Sequence, residues 1–454
     1  MAYSFCRKIC YSLLILVVVS FVMPNQYFVK FSEHCAIHLY SLVWLLLLPI
    51  LLIKWVFNFA KYGKQTAKEY LARFGIVFNV VPKHGFWLHC ASVGEVVAAQ
   101  QVVERLLQSY PHIAITITTN TMTGRIRVAE LFTHRVQHYY LPYDFPLFVK
   151  VFIAKLQPKM VLITEMELWP NLCHGCWQED IPTFVINGRM SEKSTLSYQK
   201  LKWLMHPLLS QLSGVCAQGQ RDYQNYLTLG VNPQRLILTN NIKFDLQIND
   251  GELRLADELY QRLNLAGRTL IVAGSTHEPE EQVLIDAYHK LVKDFPKLLL
   301  VIVPRHPQRF EQVKTLLTKQ NLGFIRTSQM QTCSSDTQVI LADEMGILRS
   351  LYALATVAFV GGSIAQRGGH NALEPAALGI PTVMGKSIYN NPQICQELHS
   401  AGALTFVENS QQMADFCWTL LNQPELHQAA AKAGLAVISQ NKGALERTLS
   451  FLQL

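Results

Sequence analysis

From Gly85 onward, short apolar runs rich in β-branched residues alternate with segments of helical periodicity, and this alternation constrains the fold more than any other feature of the chain. Phe86 to Cys90, Ile113 to Thr119, Val136 to Tyr140, Met160 to Thr164, Thr183 to Asn187, Val215 to Gln218 and Leu236 to Thr239 read as buried strands. Between the first two, Val96, Ala99, Val102, Val103, Leu106 and Leu107 recur at helical spacing behind Glu95. Arg125 to Phe132 and Pro146 to Leu156 read as further helices. The pattern restarts at Thr269 to Ser275 and continues through Leu298 to Val303, Gln338 to Ala342, Thr356 to Gly361 and Pro381 to Met384. Strands that alternate with helices form a parallel sheet covered on both faces. Two such sets predict an α/β protein of two doubly wound, Rossmann-like domains facing a cleft. The expected domains are 66–245 and 246–454, with a hinge in the polar stretch Asp245 to Asn264 and Val437 to Leu454 as a closing helix of the second.

Residues 1–65 are of another kind. Arg7 and Lys8 precede an apolar run, Tyr11 to Met23, that resembles the start of a signal peptide but lacks a small-residue cleavage site, so a retained anchor is expected. Ala36 to Ile53 contains no Asp, Glu, Lys or Arg and is long enough to span a bilayer or lie in it. Lys54, Lys61, Lys64, Lys68 and Arg73 follow, which places everything after them on the cytoplasmic side. The competing reading is a buried helix docked on the body. A formal charge of +8 suits anionic substrates or an anionic membrane surface. No dense Lys/Arg run with interleaved aromatics points to nucleic acid. The ten cysteines are scattered, as in a reduced cytosolic body. Cys173-His-Gly-Cys176 lacks a second ligand pair, so no metal site is expected.

Polar residues gather where strands end, which in an open α/β sheet is where ligands bind. Glu95 stands at the joint between the first strand and its helix. It either takes a proton from a substrate hydroxyl or complements the helix dipole. Glu165 and Glu167 follow the strand Met160 to Thr164, and Asn187-Gly-Arg189 follows the next. Lys243 lies just past Leu236 to Thr239, placed to contact an anion. In the second half, Gly274-Ser275-Thr-His-Glu278 offers hydroxyls and backbone N–H groups to an anion. Arg305 can hold a carboxylate or phosphate with two hydrogen bonds, whereas His306 reads as a loop histidine. The glycines of Gly361-Gly-Ser-Ile-Ala-Gln-Arg-Gly-Gly-His370 let backbone approach a ligand. Asn371 caps the next helix, whose N–H groups would face a phosphate, and Glu374 can accept ribose hydroxyls. Together these features point to a nucleotide-linked donor.

Six ordered motifs carry a family resemblance. They are His89-Cys-Ala-Ser-Val-Gly-Glu95, Glu165-Met-Glu-Leu-Trp-Pro-Asn171, Asn240-Asn-Ile-Lys-Phe-Asp245, Gly274-Ser-Thr-His-Glu278, Val303-Pro-Arg-His-Pro307, and Gly361-Gly-Ser363 with Arg367-Gly-Gly-His-Asn371 and Leu373-Glu-Pro-Ala-Ala377. From about Tyr70 to its end the chain resembles the 3-deoxy-D-manno-octulosonic acid (Kdo) transferases of lipopolysaccharide assembly. The resemblance implies a glycosyltransferase-B fold, CMP-Kdo as donor, a lipid A precursor (lipid IVA) as acceptor, and inversion without a metal or other cofactor. It makes 66–245 the acceptor domain and 246–454 the donor domain. It implies Glu95 as general base, Glu165 and Glu167 as active-site carboxylates, and Ser275, Arg305, Met345, Gly346, Asn371 and Glu374 as holders of the cytidine monophosphate.

The chemistry adds Lys243, and more weakly Arg127 and Arg189, as cations for the departing nucleotide. The acceptor is amphiphilic, which places the protein on the inner membrane of a Gram-negative-type bacterium with its catalytic body in the cytoplasm. Two departures stand out: Asp343-Glu-Met-Gly-Ile347 lacks the family's final carboxylate, and Ala372 replaces a usual Pro. The alternatives are another two-domain nucleotide-sugar enzyme, such as a 2-epimerase, and a non-catalytic, membrane-attached glycolipid binder.

Overall fold

The structure, a computed structural model, describes residues 36–50, 53, 71–77, 82–246, 249–329 and 331–454. The apolar run Tyr11 to Met23 and the lysines at 54, 61, 64 and 68 lie outside the described residues. The chain divides into two compact units, one reaching Ile242 and reclaiming Gly443–Leu454, the other holding Lys243–Lys442.

The first unit is built on seven strands: β1 (Phe86–His89), β2 (Ile115–Thr119), β3 (Gln137–Tyr140), β4 (Met160–Thr164), β5 (Thr183–Gly188), β6 (Gly214–Ala217) and β7 (Leu236–Leu238). They lie in the order β3-β2-β1-β4-β5-β6-β7, and every pairing is parallel. The direction of winding reverses between β1 and β4, where Leu88 stands opposite Leu162. On one face Trp87, Phe152, Ile163, Val185 and Leu208 pack together. On the other, Phe86 and Leu88 meet Val96, Val102 and Val103 of helix Val93–Ser109. Strands this apolar on both faces cannot be left half-exposed, which is why helices cover them twice.

The second unit repeats the plan with a different order. Its strands are β8 (Thr269–Thr276), β9 (Leu298–Pro304), β10 (Phe324–Arg326), β11 (Val339–Leu341), β12 (Val357–Val360), β13 (Thr382–Met384) and β14 (Leu404–Phe406). They run β10-β11-β9-β8-β12-β13-β14, again all parallel. The reversal here falls between β8 and β12.

Two expectations change. The chain does not end in a helix of the second unit: Pro424–Asn441 stays there, while Ala444–Leu452 belongs to the first. Leu445, Leu449 and Leu452 bury their side chains against the Val93–Ser109 face of the first sheet. Gly214 in β6 makes room for the same helix, because a Cβ there would lie 2.5 Å from Phe451. The polar stretch expected as a hinge is largely helix Asp250–Arg262, started by a capping box between Asn249 and Glu252 and burying Ala256 and Leu259. Among the described residues no helix is long and apolar enough to cross a membrane.

The helix over 36–50 makes contacts with the first unit. Ala36 and Ile37 pack on Leu204, and Ser41 Oγ donates to Asn171 Oδ1 at 2.8 Å. Trp44 packs against Tyr143 with ring centroids 6.3 Å apart. The rest of this helix exposes Leu39, Leu42, Val43, Leu45, Leu46, Leu47 and Ile50. Arg73, read above as part of the basic flank, is instead rooted in the body. It donates to Asn120 Oδ1 at 2.8 Å, to Asn120 O at 2.6 Å and to Leu141 O at 3.0 Å, and it lies over the Tyr140 ring.

Candidate active site

In the first unit the three expected carboxylates stand after the two strands that flank the reversal. Glu95 enters in the first turn of the helix that follows β1. It is only 7% exposed. Its Oε2 accepts the Ala91 N–H at 2.8 Å and its Oε1 accepts the Ser92 hydroxyl at 3.0 Å. The small residues Ala91 to Gly94 fold back over their own carboxylate. Burial pushes Glu95 up to about 8, against the two hydrogen bonds that favour its charge, and the nearby Glu165 and Glu167 raise it further. Desolvation therefore outweighs the hydrogen bonds from Ala91 and Ser92 at this position.

Glu165 and Glu167 follow β4. Glu165 adopts a left-handed backbone, φ 60°, a conformation that costs a non-glycine residue about 1–2 kcal/mol. Its N–H donates to Ile186 O at 3.0 Å, which ties the turn to β5. Trp169 Nε1 donates to Glu167 Oε2 at 3.0 Å. Burial and the neighbouring Glu165 raise Glu167 above the usual carboxylate range. Asp144 holds the next helix, Pro170–Gln178, by accepting the N–H groups of Asn171 and Leu172 at 3.0 and 2.8 Å. Asn187, also left-handed at φ 51°, accepts the Ile242 N–H at 3.0 Å. His89 of the first motif lies fully buried at the end of β1, with Nδ1 3.1 Å from Thr118 Oγ1. Burial lowers it to about 3, so its imidazole is neutral.

In the second unit the reversal collects cations and imidazoles. Ser275 takes a left-handed backbone, φ 55°, and Gly361 after β12 passes so close that a Cβ would lie 2.3 Å from Ser275 O. His277 Nε2 lies 2.9 Å from His370 Nε2, with the rings stacked at 12°. One donates and the other accepts, so at most one of the two facing nitrogens carries a proton. His306 meets the edge of His277, with centroids 5.4 Å apart. Burial holds His277 and His370 down to about 4, and Arg305 lowers both further. Arg305 and Arg367 are exposed, while Arg309 donates to Glu281 Oε2 at 3.1 Å.

The remaining expected residues divide. Asn371 Oδ1 accepts the Leu373 N–H at 3.2 Å, and its Nδ2 lies 3.4 Å from Glu374 Oε1. The helix it starts is short, Leu373–Ala377. Burial raises Glu374, partly offset by Arg349. Met345 is exposed and Gly346 is left-handed at φ 87°, so this turn presents backbone. Ile347 turns into the core beside Leu263 and Ile340, which explains how the chain tolerates an apolar residue there. Lys243 Nζ donates to Asn391 Oδ1 at 3.2 Å. Arg127 pairs with Glu130 at 3.0 Å, and Arg189 is half-buried after β5. Cys173 and Cys176 lie in the core, and burial pushes the Cys176 thiol up to about 12. Sequence reading missed the His277–His370 pair and Glu280. The histidines lie in motifs already singled out, but only the β8–β12 pairing shows that they meet.

Two parallel-sheet α/β units, each with its candidate site residues at the reversal of its sheet, define a two-domain enzyme consistent with the glycosyltransferase-B type. The UDP-GlcNAc 2-epimerase from Neisseria meningitidis shares this fold, with a TM-score of 0.55 and 15% identity over 81% of this chain and 99% of that one. The chain belongs to the Kdo transferase family and is a glycosyltransferase. It is 41% identical over 396 residues, 87% of this chain and 92% of the relative, to the 3-deoxy-D-manno-octulosonic acid transferase of Haemophilus influenzae. It is 31% identical over 81% of its length, and 86% of the relative, to the transferase of the same name from Bordetella pertussis. The family model for 3-deoxy-D-manno-octulosonic-acid transferase (kdotransferase) matches residues 68–246.

Proposed function

We propose that this protein transfers Kdo from CMP-Kdo to a lipid A precursor, lipid IVA, with inversion at the anomeric carbon and without a resident metal. The observation that carries this reading is Glu95: a desolvated carboxylate at the end of a central strand, poised near pH 8 and steadied by Ala91 and Ser92. Such a group suits a base that takes a proton from a sugar hydroxyl. As the hydroxyl oxygen attacks the anomeric carbon, the bond from that carbon to the CMP phosphate oxygen breaks and CMP leaves as an anion. Glu95 accepts the hydroxyl proton. Glu165 and Glu167 keep Glu95 basic through their negative charge and offer acceptors to the sugar's other hydroxyls.

In the second unit, Arg305 meets the donor's phosphate or carboxylate, with Lys243 and Ser275 as further contacts. Met345 and Gly346 offer backbone to the cytosine, and Asn371 and Glu374 hold the ribose. Cationic side chains here do the work of charge neutralisation on the leaving group. The 2-epimerase fold likeness, at 15% identity, speaks to architecture alone.

The protein works at the cytoplasmic face of the inner membrane, where its acceptor resides. The exposed row Leu39, Leu42, Val43, Leu46 and Ile50 supports this, since a docked helix with an uncovered apolar side seats in a lipid interface. Vesicles of anionic phospholipid should capture the full-length protein, and a Leu42→Asp, Leu46→Asp variant should remain in solution; equal capture of both would remove this face from the attachment.

The test of the activity is to incubate the protein with CMP-Kdo and the tetraacylated lipid A precursor and to weigh the lipid. A gain of one or more Kdo units is expected. An unchanged lipid mass would overturn the reading, and epimerised nucleotide sugar in its place would favour the epimerase alternative.

A further inference from the structure

The glycine-rich loop after β12 has the composition of a phosphate cradle, yet its backbone donors are already taken. Glu280, in the first turn of helix Glu280–Leu291, is fully buried. Its Oε1 accepts the N–H groups of Ser363 and Ile364 at 2.9 Å each and of Ala365 at 3.3 Å. Its Oε2 accepts those of Gly362 and His277 at 2.9 Å each. The remaining donors turn inward too. Gly361 N–H reaches Gly274 O, Arg367 and Gly369 both reach Gly362 O, His370 reaches Gly361 O, and Gly368 reaches the Ser387 hydroxyl. From Gly361 to His370, only Gln366 has a backbone N–H with no acceptor among the described residues.

Successive N–H groups converging on one point form an anion-binding concavity. Here the anion is part of the protein. We infer that Glu280 is a positioning residue that occupies the loop's anion nest from within, fixing the loop so that it holds the donor through side chains rather than backbone N–H groups. The loop then presents Arg367, an exposed residue, and His370, stacked on His277. Gly362 fits the same account: a Cβ there would lie 2.9 Å from the His370 ring. A carboxylate bound by several N–H groups is a charge-assisted contact, about twice as strong as a neutral one. Removing it leaves buried donors unsatisfied, which costs more than the bond itself contributes.

The inference rests on the reading of the second unit as the nucleotide-binding one, and the test separates the two. Full-length protein is compared as wild type, Glu280→Asp, Glu280→Gln and Glu280→Ala. CMP affinity is measured by calorimetry, and the melting temperature with and without sodium formate. Glu280→Gln keeps the shape but turns an amide NH₂ toward backbone donors, so CMP binding should weaken roughly tenfold to a hundredfold. Glu280→Asp keeps the charge and should lose less. In Glu280→Ala, formate should enter the vacated nest, raising the melting temperature and recovering part of the CMP affinity, with neither effect in the wild type.

Wild-type CMP affinity in folded Glu280→Gln would overturn the inference, as would equal losses in the Asp and Gln variants. Absence of formate rescue in folded Glu280→Ala would also overturn it. If Glu280→Ala does not fold, the Asp–Gln contrast decides. If the wild type itself does not bind CMP, the donor reading fails, and the formate effect on melting alone decides the role of Glu280, or, where Glu280→Ala does not fold, a higher melting temperature for Asp than for Gln.

Discussion

The two units share a seven-stranded parallel plan and place their polar residues at the same topological point, but they arrive there with opposite charge. The first unit gathers Glu95, Glu165 and Glu167. Burial and mutual repulsion raise Glu95 and Glu167, and among the described residues Glu95 receives two hydrogen bonds. The second gathers Arg305, Arg309, Arg367 and three histidines. One of its buried carboxylates, Glu280, accepts five N–H groups. Burial raises both Glu95 and Glu280; what differs is that Glu95 accepts two hydrogen bonds from its own turn, whereas Glu280 accepts five and is spent on architecture. The strand order fixes where a site can be, and the number of hydrogen bonds each acid receives decides what that acid can do.

The sharpest way to break this contrast is to remove the proposed base. Glu95→Gln keeps the shape of the site but cannot accept a proton, so kcat should fall by about 10²–10⁴. CMP affinity should stay within twofold of wild type, because Glu95 belongs to the other unit. Wild-type turnover in this variant, measured by mass spectrometry of the lipid, would take the base role from Glu95. Next in size, Arg305→Ala should raise the KM for CMP-Kdo roughly tenfold to a hundredfold, with a smaller change in kcat for saturated enzyme. An unchanged KM would mean that the exposed guanidinium does not meet the donor.

The smallest effect concerns stability. The folded state holds Glu95 near 8, above its ordinary 4.5, so folding favours the protonated form. That contribution is complete below the ordinary value and is lost as pH rises through the folded one. Glu95→Gln should therefore melt higher than the wild type above pH 8, by about 2–4 °C for each kcal/mol recovered, and lose this advantage in acid. A constant difference at all pH values would contradict a desolvated carboxylate.

Much of the architecture was legible in the sequence because parallel strands buried on both faces leave unbroken apolar runs. β4 and the helix Pro146–Leu156 fall where the pattern puts them. The edge strands Phe324–Arg326 and Leu404–Phe406 went unread, since Arg326 and Thr405 interrupt their short apolar runs. Helix Ala444–Leu452 was readable as amphipathic, but its stripe does not say which sheet it covers. Asp250–Arg262 looked like a hinge because its buried side is narrow, although Asn249 and Glu252 form a recognisable capping box.

At the site, strand ends located Glu95, Glu165, Glu167, Ser275 and Arg305. What the sequence could not supply was the balance between burial and hydrogen bonding at Glu95. Nor could it show that Glu280 and a loop some eighty residues further on close on each other, a contact that depends on the β8–β12 pairing.

The pH dependence of kcat/KM tests the central claim most directly, because it reports the free enzyme's essential base. With Glu95 as that base, the rate should rise tenfold per pH unit below about 8 and level off above it. Glu167→Gln removes a neighbouring negative charge, so the same limb should move to lower pH. A limb that ends in the ordinary carboxylate range, or one that Glu167→Gln leaves in place, would contradict the account.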